Sequence, residues 1–349
     1  MRKYQTAVVG ATGAVGEEIL SILDERNFPV GGLKLLASGR SAGKKLVFRG
    51  QEYTVEEAKP DSFKGVEIAF FSAGGGVSQE LAPAAVEAGA VVIDNTSAFR
   101  MDPKVPLVVP EVNPSDLEWH HGIIANPNCS TIIMVVALNP IHQEAGIKRI
   151  VVSTYQAVSG AGARAMEALK DQVRAYAENR VVEPSLLPYA KAARHYPIAF
   201  NLIPHIDIFT EGGYTKEEWK MVNETRKIMH DASIAITATT VRVPVFRSHS
   251  ESVNVETHRK LSAARALEIL SRAPGVVVQD DPAQQVYPMP LEVAGKDPVF
   301  VGRVREDFSI ANGLNLWVVG DQIRKGAALN AIQIAERLIE RNLLRAGAR

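Results

Sequence analysis

The segment Ala7-Val-Val-Gly10-Ala-Thr-Gly13-Ala-Val-Gly16 sets three glycines between a short apolar run and a helix-like pattern, and nothing else in the chain constrains the fold as much. Such a turn lets backbone amides approach a pyrophosphate, whose charge is met by the amides at the helix N-terminus. The spacing is G-x-x-G-x-x-G instead of G-x-G-x-x-G, so taken alone it also fits a tight structural turn. Short β-like runs then alternate with helical ones: Thr6 to Val9, helix Ala14 to Arg26, Leu33 to Ala37, Val66 to Phe71, helix Val77 to Glu87, and Val91 to Asp94. That rhythm predicts βαβ units and a mostly parallel sheet.

From about Lys148 the texture changes. Longer β-like runs, Ile150 to Gln156, Ile234 to Val245 and Val299 to Arg305, are interrupted by helical patterns near Ala163 to Glu178 and Lys216 to His230. At roughly 150 residues per domain a 349-residue chain is expected to hold two. The reading is an α/β protein: an N-terminal Rossmann-like, dinucleotide-binding domain over residues 1–128, and a second, α+β domain over residues 129–321. Residues 322–349 follow the β-like run Leu314 to Val319, have apolar residues at helical spacing through Leu344, and are expected to form a helix that completes the first domain. Pro282 to Lys296 reads as a surface connection.

Composition removes several classes of function. Lys plus Arg is 39 and Asp plus Glu is 39, and this balance argues against a nucleic-acid partner, which would call for a basic surplus. One cysteine excludes an intrachain disulfide and a multi-cysteine zinc site, and no metal is expected. The opening Met1-Arg-Lys-Tyr-Gln-Thr6 lacks the order of a signal peptide, so a cytoplasmic location is expected. The longest uncharged stretch, Trp119 to Gln143, is interrupted by Asn126, Pro127, Asn128 and Pro140, so no membrane partner is expected.

After the second β-like run, where an NAD-binding domain would place an acidic residue for the ribose, the chain reads Ala37-Ser38-Gly39-Arg40-Ser41-Ala42-Gly43-Lys44. An arginine flanked by hydroxyls suits a 2′-phosphate and points to NADP; the alternative for Arg40 is a solvated loop charge. The candidate cofactor contacts are Gly10, Thr12, Gly13, Ala14, Val15, Gly16, Ser38, Arg40 and Ser41. The single cysteine stands in Asn126-Pro-Asn-Cys129-Ser-Thr131 ahead of the apolar run Ile132 to Leu138, so a turn followed by a helix places its sulfur near a helix N-terminus. The dipole there favours thiolate, the nucleophilic form, although a lone cysteine is also often a small buried apolar residue.

Seven motifs, Gly10 to Gly16, Ser38 to Gly43, Asn95-Thr-Ser-Ala-Phe-Arg100, Asn126 to Thr131, Tyr155-Gln-Ala-Val-Ser-Gly160, Glu217-Glu-Trp-Lys220 and Arg242-Val-Pro-Val-Phe-Arg-Ser-His249, together resemble the aspartate-semialdehyde dehydrogenase family across nearly the whole chain. The resemblance implies reversible, NADP-dependent conversion of L-aspartyl 4-phosphate to L-aspartate 4-semialdehyde and phosphate, a step that serves lysine and diaminopimelate, threonine, methionine and isoleucine biosynthesis. It implies that Cys129 attacks the acyl phosphate to leave a thioester, that Gln156 orients the acyl group, and that His249 is the acid/base, a task suited to an imidazole titrating near neutrality. Arg242, seven residues before His249 on the same β-like run, would hold the α-carboxylate. Glu217 would meet the ammonium and Lys220 the phosphate; they stand at i and i+3 of a predicted helix, and the adjacent Glu218 leaves that assignment open by one residue. Arg100 and Asn128 are implied as further phosphate contacts, Ser159 and Gly160 as residues near the nicotinamide, and Gln322, opening the C-terminal helix, as a cofactor contact. The second domain would be catalytic and dimerising, giving a homodimer, or in some relatives a homotetramer.

The other seven histidines read as structural or solvated, with His205, two residues before Asp207, as the one placed to pair with an acid. Two rival readings stand beside the main one. N-acetyl-γ-glutamyl-phosphate reductase also forms a thioester on cysteine, but its acetylated amine is uncharged and would not call for Glu217. A non-catalytic NADP-sensing protein would keep the glycine turn without a reason to combine Cys129, Gln156, Arg242 and His249.

Overall fold

The computed structural model describes residues 2–344, and the chain divides into two compact units, residues 1–128 with 327–349, and residues 129–326. In the first unit run β1 (Tyr4–Val9), α1 (Ala14–Glu25), β2 (Val30–Ala37), the hairpin β3 (Lys45–Phe48) and β4 (Gln51–Thr54), β5 (Glu56–Glu57), β6 (Ile68–Phe71), α2 (Gly75–Glu87), β7 (Val91–Asp94) and β8 (Ile123–Ala125). The main sheet has the order β5-β2-β1-β6-β7-β8, and every pairing in it is parallel. The sequence explains this: all four residues of β6 and all four of β7 are buried, as befits strands covered on both faces. Because β2 and β6 flank β1 on opposite sides, Gly10 lies at the carboxyl end of the strand where the winding reverses, the usual crevice of an open α/β sheet.

The second unit begins with α3 (Cys129–Ala145) and continues with β9 (Ile147–Gln156), α4 (Ala163–Ala177), α5 (Lys216–Ile228), β10 (Ala235–Arg242), β11 (His249–Thr257), α6 (Ala263–Ser271), β12 (Val276–Val278), the one-turn α7 (Pro290–Val293), β13 (Val299–Asp307) and β14 (Gly313–Gly320). Its sheet is mixed, in the order β10-β9-β11-β14-β13-β12. Ile132 to Leu138 are all buried, so α3 is apolar around its circumference and runs through the interior. It lies close on the sheet: a Cβ added at Gly320 would come within 2.8 Å of Ile133.

Two expectations about continuity are corrected. The run Ile234 to Val245 is not one strand, and Arg242 and His249 do not share one. β10 ends at Arg242 and pairs parallel with β9, Pro244 follows, and β11 starts at His249 antiparallel to β9. Pro244 has no amide hydrogen to continue the ladder, so the chain turns there. The connection near 282–296 is also less irregular than expected, with α7 burying Val293.

The C-terminal helix does not begin at Gln322. Asp321 accepts the amides of Ile323 and Arg324 at 2.9 and 3.2 Å, a π-helical stretch covers Arg324–Ala328, and the α-helix proper is α8 (Leu329–Glu340). Residues 345–349 of the expected helix lie outside the described residues. In the first unit, Ile332, Ala335 and Leu338 of α8 share a core with Ile19, Ile22 and Leu23 of α1, while Leu81, Ala82 and Ala85 of α2 pack in a second core with Phe63 and Phe71.

Candidate active site

The glycine turn of the first unit is built from specific needs. Gly10 takes φ of +88°, its amide donates to Leu36 at 2.7 Å, and its carbonyl accepts from Gly13 at 3.0 Å. A Cβ on Gly10 would lie 2.9 Å from Ser72, and one on Gly16 would lie 2.2 Å from the Gly10 carbonyl, so both positions exclude side chains for packing reasons alone. Gly13 differs: it is exposed, adopts extended backbone, and precedes α1 without any side-chain cap, so its bareness leaves the helix N-terminus open. Thr12, Ala14 and Val15 are half-buried around it. Ser38 and Arg40 are exposed and Ser41 half-buried on a turn after β2, closed by the Ser41 amide on the Ser38 carbonyl at 2.8 Å. Arg100 and Asn128, both buried, belong to this unit as well, with Arg100 donating to the Asn95 carbonyl at 2.9 Å.

In the second unit the sheet register collects the site. Arg242 on β10 pairs with Gln156 on β9, and since Ser250 pairs with Tyr155, His249 on β11 stands beside Gln156 as well. Partners in register project to the same face, so Arg242, Gln156 and His249 form one row across three adjacent strands. Ala157, just past β9, ties the row together: its carbonyl accepts from Arg242 Nη1 at 2.7 Å, and its amide donates to His249 Nδ1 at 3.0 Å. Cys129 opens α3, and a cavity of about 340 Å³ is lined by Cys129, Gln156, Gly160, Glu217, Lys220 and Arg242 together. His249 lies behind Gly160, fully buried.

The two adjacent glutamates of α5 are separated by the structure. Glu218 completes a capping box: its Oε2 accepts from the Thr215 amide at 2.8 Å, its own amide donates to Thr215 Oγ1 at 3.3 Å, and its Oε1 accepts from Thr240 on β10 at 3.0 Å. Glu217 faces the cavity instead. Its Oε1 accepts from Gln156 Nε2 at 3.1 Å, and its Oε2 accepts from Lys220 Nζ at 3.0 Å. The Thr154 hydroxyl donates to Gln156 Oε1 at 3.3 Å and so fixes which end of that amide meets Glu217.

Burial and charge shape the titration here. Burial lowers the Lys220 pKa, but the charges of Glu217 and Asp207 and their hydrogen bonds outweigh it, and Lys220 titrates well above its ordinary value. Arg242 is lowered by burial, against the charges of Glu217 and Cys129 that favour the cation. The same coupling means that Arg242 favours negative charge on the sulfur. His249 does not titrate near neutrality as expected: burial, then the charge of Arg242, push its pKa down to about 3 despite the opposing Glu217.

Three further features belong to the site. Gln322 donates through Nε2 to Ser159 Oγ and accepts from the Ser248 amide at 2.8 Å, supporting a residue at φ of +74° just before His249. Asp207, absent from the sequence reading, lines the cavity and accepts from Lys220 at 3.0 Å, as do residues 186–190 by position. The suggested pairing of His205 with Asp207 does not occur: His205 stacks on Phe209 at 4.2 Å, and Asp207 is taken by Lys220 and the Ile208 amide. No motif spacing marks Asp207 or residues 186–190, which reach the cavity from long irregular stretches. Among the described residues, no helix is long and apolar enough to cross a membrane.

Comparison with known proteins fits this geometry. Residues 5–120 match the model described as semialdehyde dehydrogenase, NAD binding domain, and residues 138–325 match semialdehyde dehydrogenase, dimerisation domain. The chain is 58% identical to the aspartate-semialdehyde dehydrogenase of Aquifex aeolicus, over 98% of this chain and 99% of the relative. Among solved structures, aspartate semialdehyde dehydrogenase II from Vibrio cholerae complexed with ASA superposes with a TM-score of 0.92 at 48% identity, covering 97% of this chain and 99% of that one. A Candida albicans aspartate semialdehyde dehydrogenase with NADP superposes at 0.77 and 26% identity, covering 98% of this chain and 100% of that one. With both units matched and the identity extending over nearly its full length, the chain belongs to the aspartate-semialdehyde dehydrogenase family.

Proposed function

We propose that this chain catalyses the reversible, NADP-dependent reductive dephosphorylation of L-aspartyl 4-phosphate to L-aspartate 4-semialdehyde. The observation that carries the reading is a single cavity that joins a cysteine at a helix N-terminus to Arg242, Gln156 and the Glu217–Lys220 pair. Such a set meets each charge of the substrate. Arg242 takes the α-carboxylate, Glu217 the ammonium, and Lys220 the phosphate, with Arg100 and Asn128 as further phosphate contacts.

In the reductive direction the Cys129 thiolate attacks the acyl carbon, phosphate departs with the electrons of the C–O bond, and a thioester remains on the sulfur. Gln156, whose amide is oriented by Thr154 and Glu217, steers the acyl group. Bound NADPH supplies the hydride that takes the thioester to the aldehyde level. For that cofactor, Gly10, Thr12, Gly13, Ala14, Val15 and Gly16 are the pyrophosphate contacts and Ser38, Arg40 and Ser41 the 2′-phosphate contacts; the uncapped helix behind Gly13 and the exposed Arg40 fit these roles. Ser159, Gly160 and Gln322 keep their proposed place toward the nicotinamide. The matched dimerisation domain supports a homodimer, with a homotetramer as the larger alternative, and a cytoplasmic location completes the reading.

The buried carboxylate of Glu217, compensated by Lys220, separates this from reduction of an N-acetylated substrate, whose neutral amide gains nothing from a carboxylate. The test is NADPH formation from aspartate semialdehyde and NADP, dependent on added phosphate and lost in Cys129→Ala. Turnover of N-acetylglutamate semialdehyde alone would transfer the chain to the rival reductase, and NADP binding without turnover of either aldehyde would make it a sensor. Light scattering that finds an active monomer would remove the homodimer.

A further inference from the structure

The hydrogen bond on His249 Nδ1 decides which nitrogen carries the ring proton. The Ala157 amide has only a hydrogen to offer, so Nδ1 accepts, and the neutral ring is protonated on Nε2. Nε2 is buried, has no partner among the described residues, and lies 3.3 Å from where a Cβ on Gly160 would stand, on the side of the ring toward the cavity. The charged or titratable groups around the ring are Arg242 from β10, Glu217 from α5 and Cys129 from α3; Arg242, whose Nη1 is 2.9 Å from the same Cβ position, is the near cation. A ring acting as base would need its lone pair on Nε2 and a proton on Nδ1, which would point at the Ala157 N–H. An imidazolium meets the same conflict.

We infer that His249 remains a neutral imidazole throughout and acts as an N–H donor to the carbonyl oxygen of the Cys129 adduct, without exchanging a proton with it. This deepens the function proposed above and rests on it. The electron count allows it. When the thiolate adds, the C–S bond forms and the carbonyl pair moves onto oxygen; the pair returns as the C–O bond to phosphate breaks, and the phosphate takes up the proton of the overall reaction from water. After hydride reaches the thioester carbon the pair again moves onto oxygen, and its return breaks the C–S bond, giving the aldehyde and the Cys129 thiolate. The carbonyl oxygen is never protonated, so the site has to supply a fixed donor for a transient oxyanion. The low pKa of the buried ring is consistent with that duty.

Two measurements test this. Ring-¹⁵N histidine labelling of the full enzyme, with the His249 signals assigned by their loss in His249→Asn, should show the Nε2-protonated neutral tautomer unchanged between about pH 5.5 and 8.5. An Nδ1-protonated ring, or an imidazolium titrating in that window, overturns the inference. In kinetics, His249→Gln retains an amide N–H near the Nε2 position but no acid or base; its kcat should stay within about tenfold of wild type, while His249→Ala should lose about 10²- to 10³-fold. Equal losses in the two variants would restore a proton-transfer role. Wild-type enzyme that makes no NADPH from semialdehyde and phosphate refutes the proposed function, whereas the tautomer is read from the same sample independently of turnover.

Discussion

Gly160 stands so close to Arg242 that a methyl group on its Cα would sit 2.9 Å from Nη1 and 3.3 Å from His249 Nε2. The guanidinium cannot swing aside without cost, because it is buried and donates to Ala157 at 2.7 Å. Gly160→Ala should therefore fold normally yet misplace both groups, lowering kcat/KM for the semialdehyde by about 10²-fold, the scale expected when a reacting group shifts by about 1 Å. Circular dichroism and steady-state kinetics on one preparation give the answer. Wild-type kinetics would mean that Arg242 is not held in place by its contact with Ala157.

The adjacent glutamates of α5 should separate stability from binding. Glu218→Ala removes the capping box and the acceptor for Thr240, which should cost about 1 to 2 kcal/mol of stability while leaving the kcat/KM of the folded enzyme near wild type. Glu217→Gln keeps the shape but loses the charge that meets the ammonium, so KM for the semialdehyde should rise about 10- to 100-fold, from one charge-assisted hydrogen bond at about 1.5 to 3 kcal/mol. Denaturant melts beside Michaelis curves distinguish them, and the reverse pattern would hand the substrate role to Glu218.

That one-residue ambiguity illustrates what the sequence holds. Helical spacing places Glu217 and Lys220 on one face, but Glu218 becomes a cap only because Thr215 precedes the helix by one residue and Thr240 arrives from another strand. The parallel sheet of the first unit was legible because its strands are continuous apolar runs between helices. The division between Arg242 and His249 was not, since Val241 to Phe246 reads as one apolar β-like run apart from Pro244, and only pairing with β9 shows where each strand ends. The titration of His249 was hidden for a similar reason: its pKa depends on burial and on Arg242, which the register brings alongside.

Arg40 offers a test confined to the cofactor. It is exposed on the turn after β2, where replacing it should not disturb packing. Arg40→Ala should raise KM for NADP by about tenfold, one charge-assisted contact, and change KM for NAD little, because only NADP carries the 2′-phosphate. An equal change for both cofactors would leave Arg40 as a loop charge.

Glu251 makes a prediction about stability alone. On β11 it pairs in register with Thr154 and Val318, is fully buried, and has neither oxygen hydrogen-bonded among the described residues. Burial raises its pKa well above 4.5, so the folded protein holds this carboxyl neutral under conditions where the unfolded chain ionises it. The folded state then binds more protons than the unfolded one, and stability must fall as pH rises above the unfolded pKa. Its contribution is complete below about pH 4.5 and is lost above it by up to about 1.4 kcal/mol per pH unit, until the folded carboxyl itself begins to ionise. Glu251→Gln keeps the size and removes the titration. The stability of the variant minus that of wild type should therefore grow between about pH 5 and about pH 8, in urea melts at matched ionic strength. A difference independent of pH, or one that shrinks as pH rises, would mean that Glu251 is ionised and compensated in the folded protein.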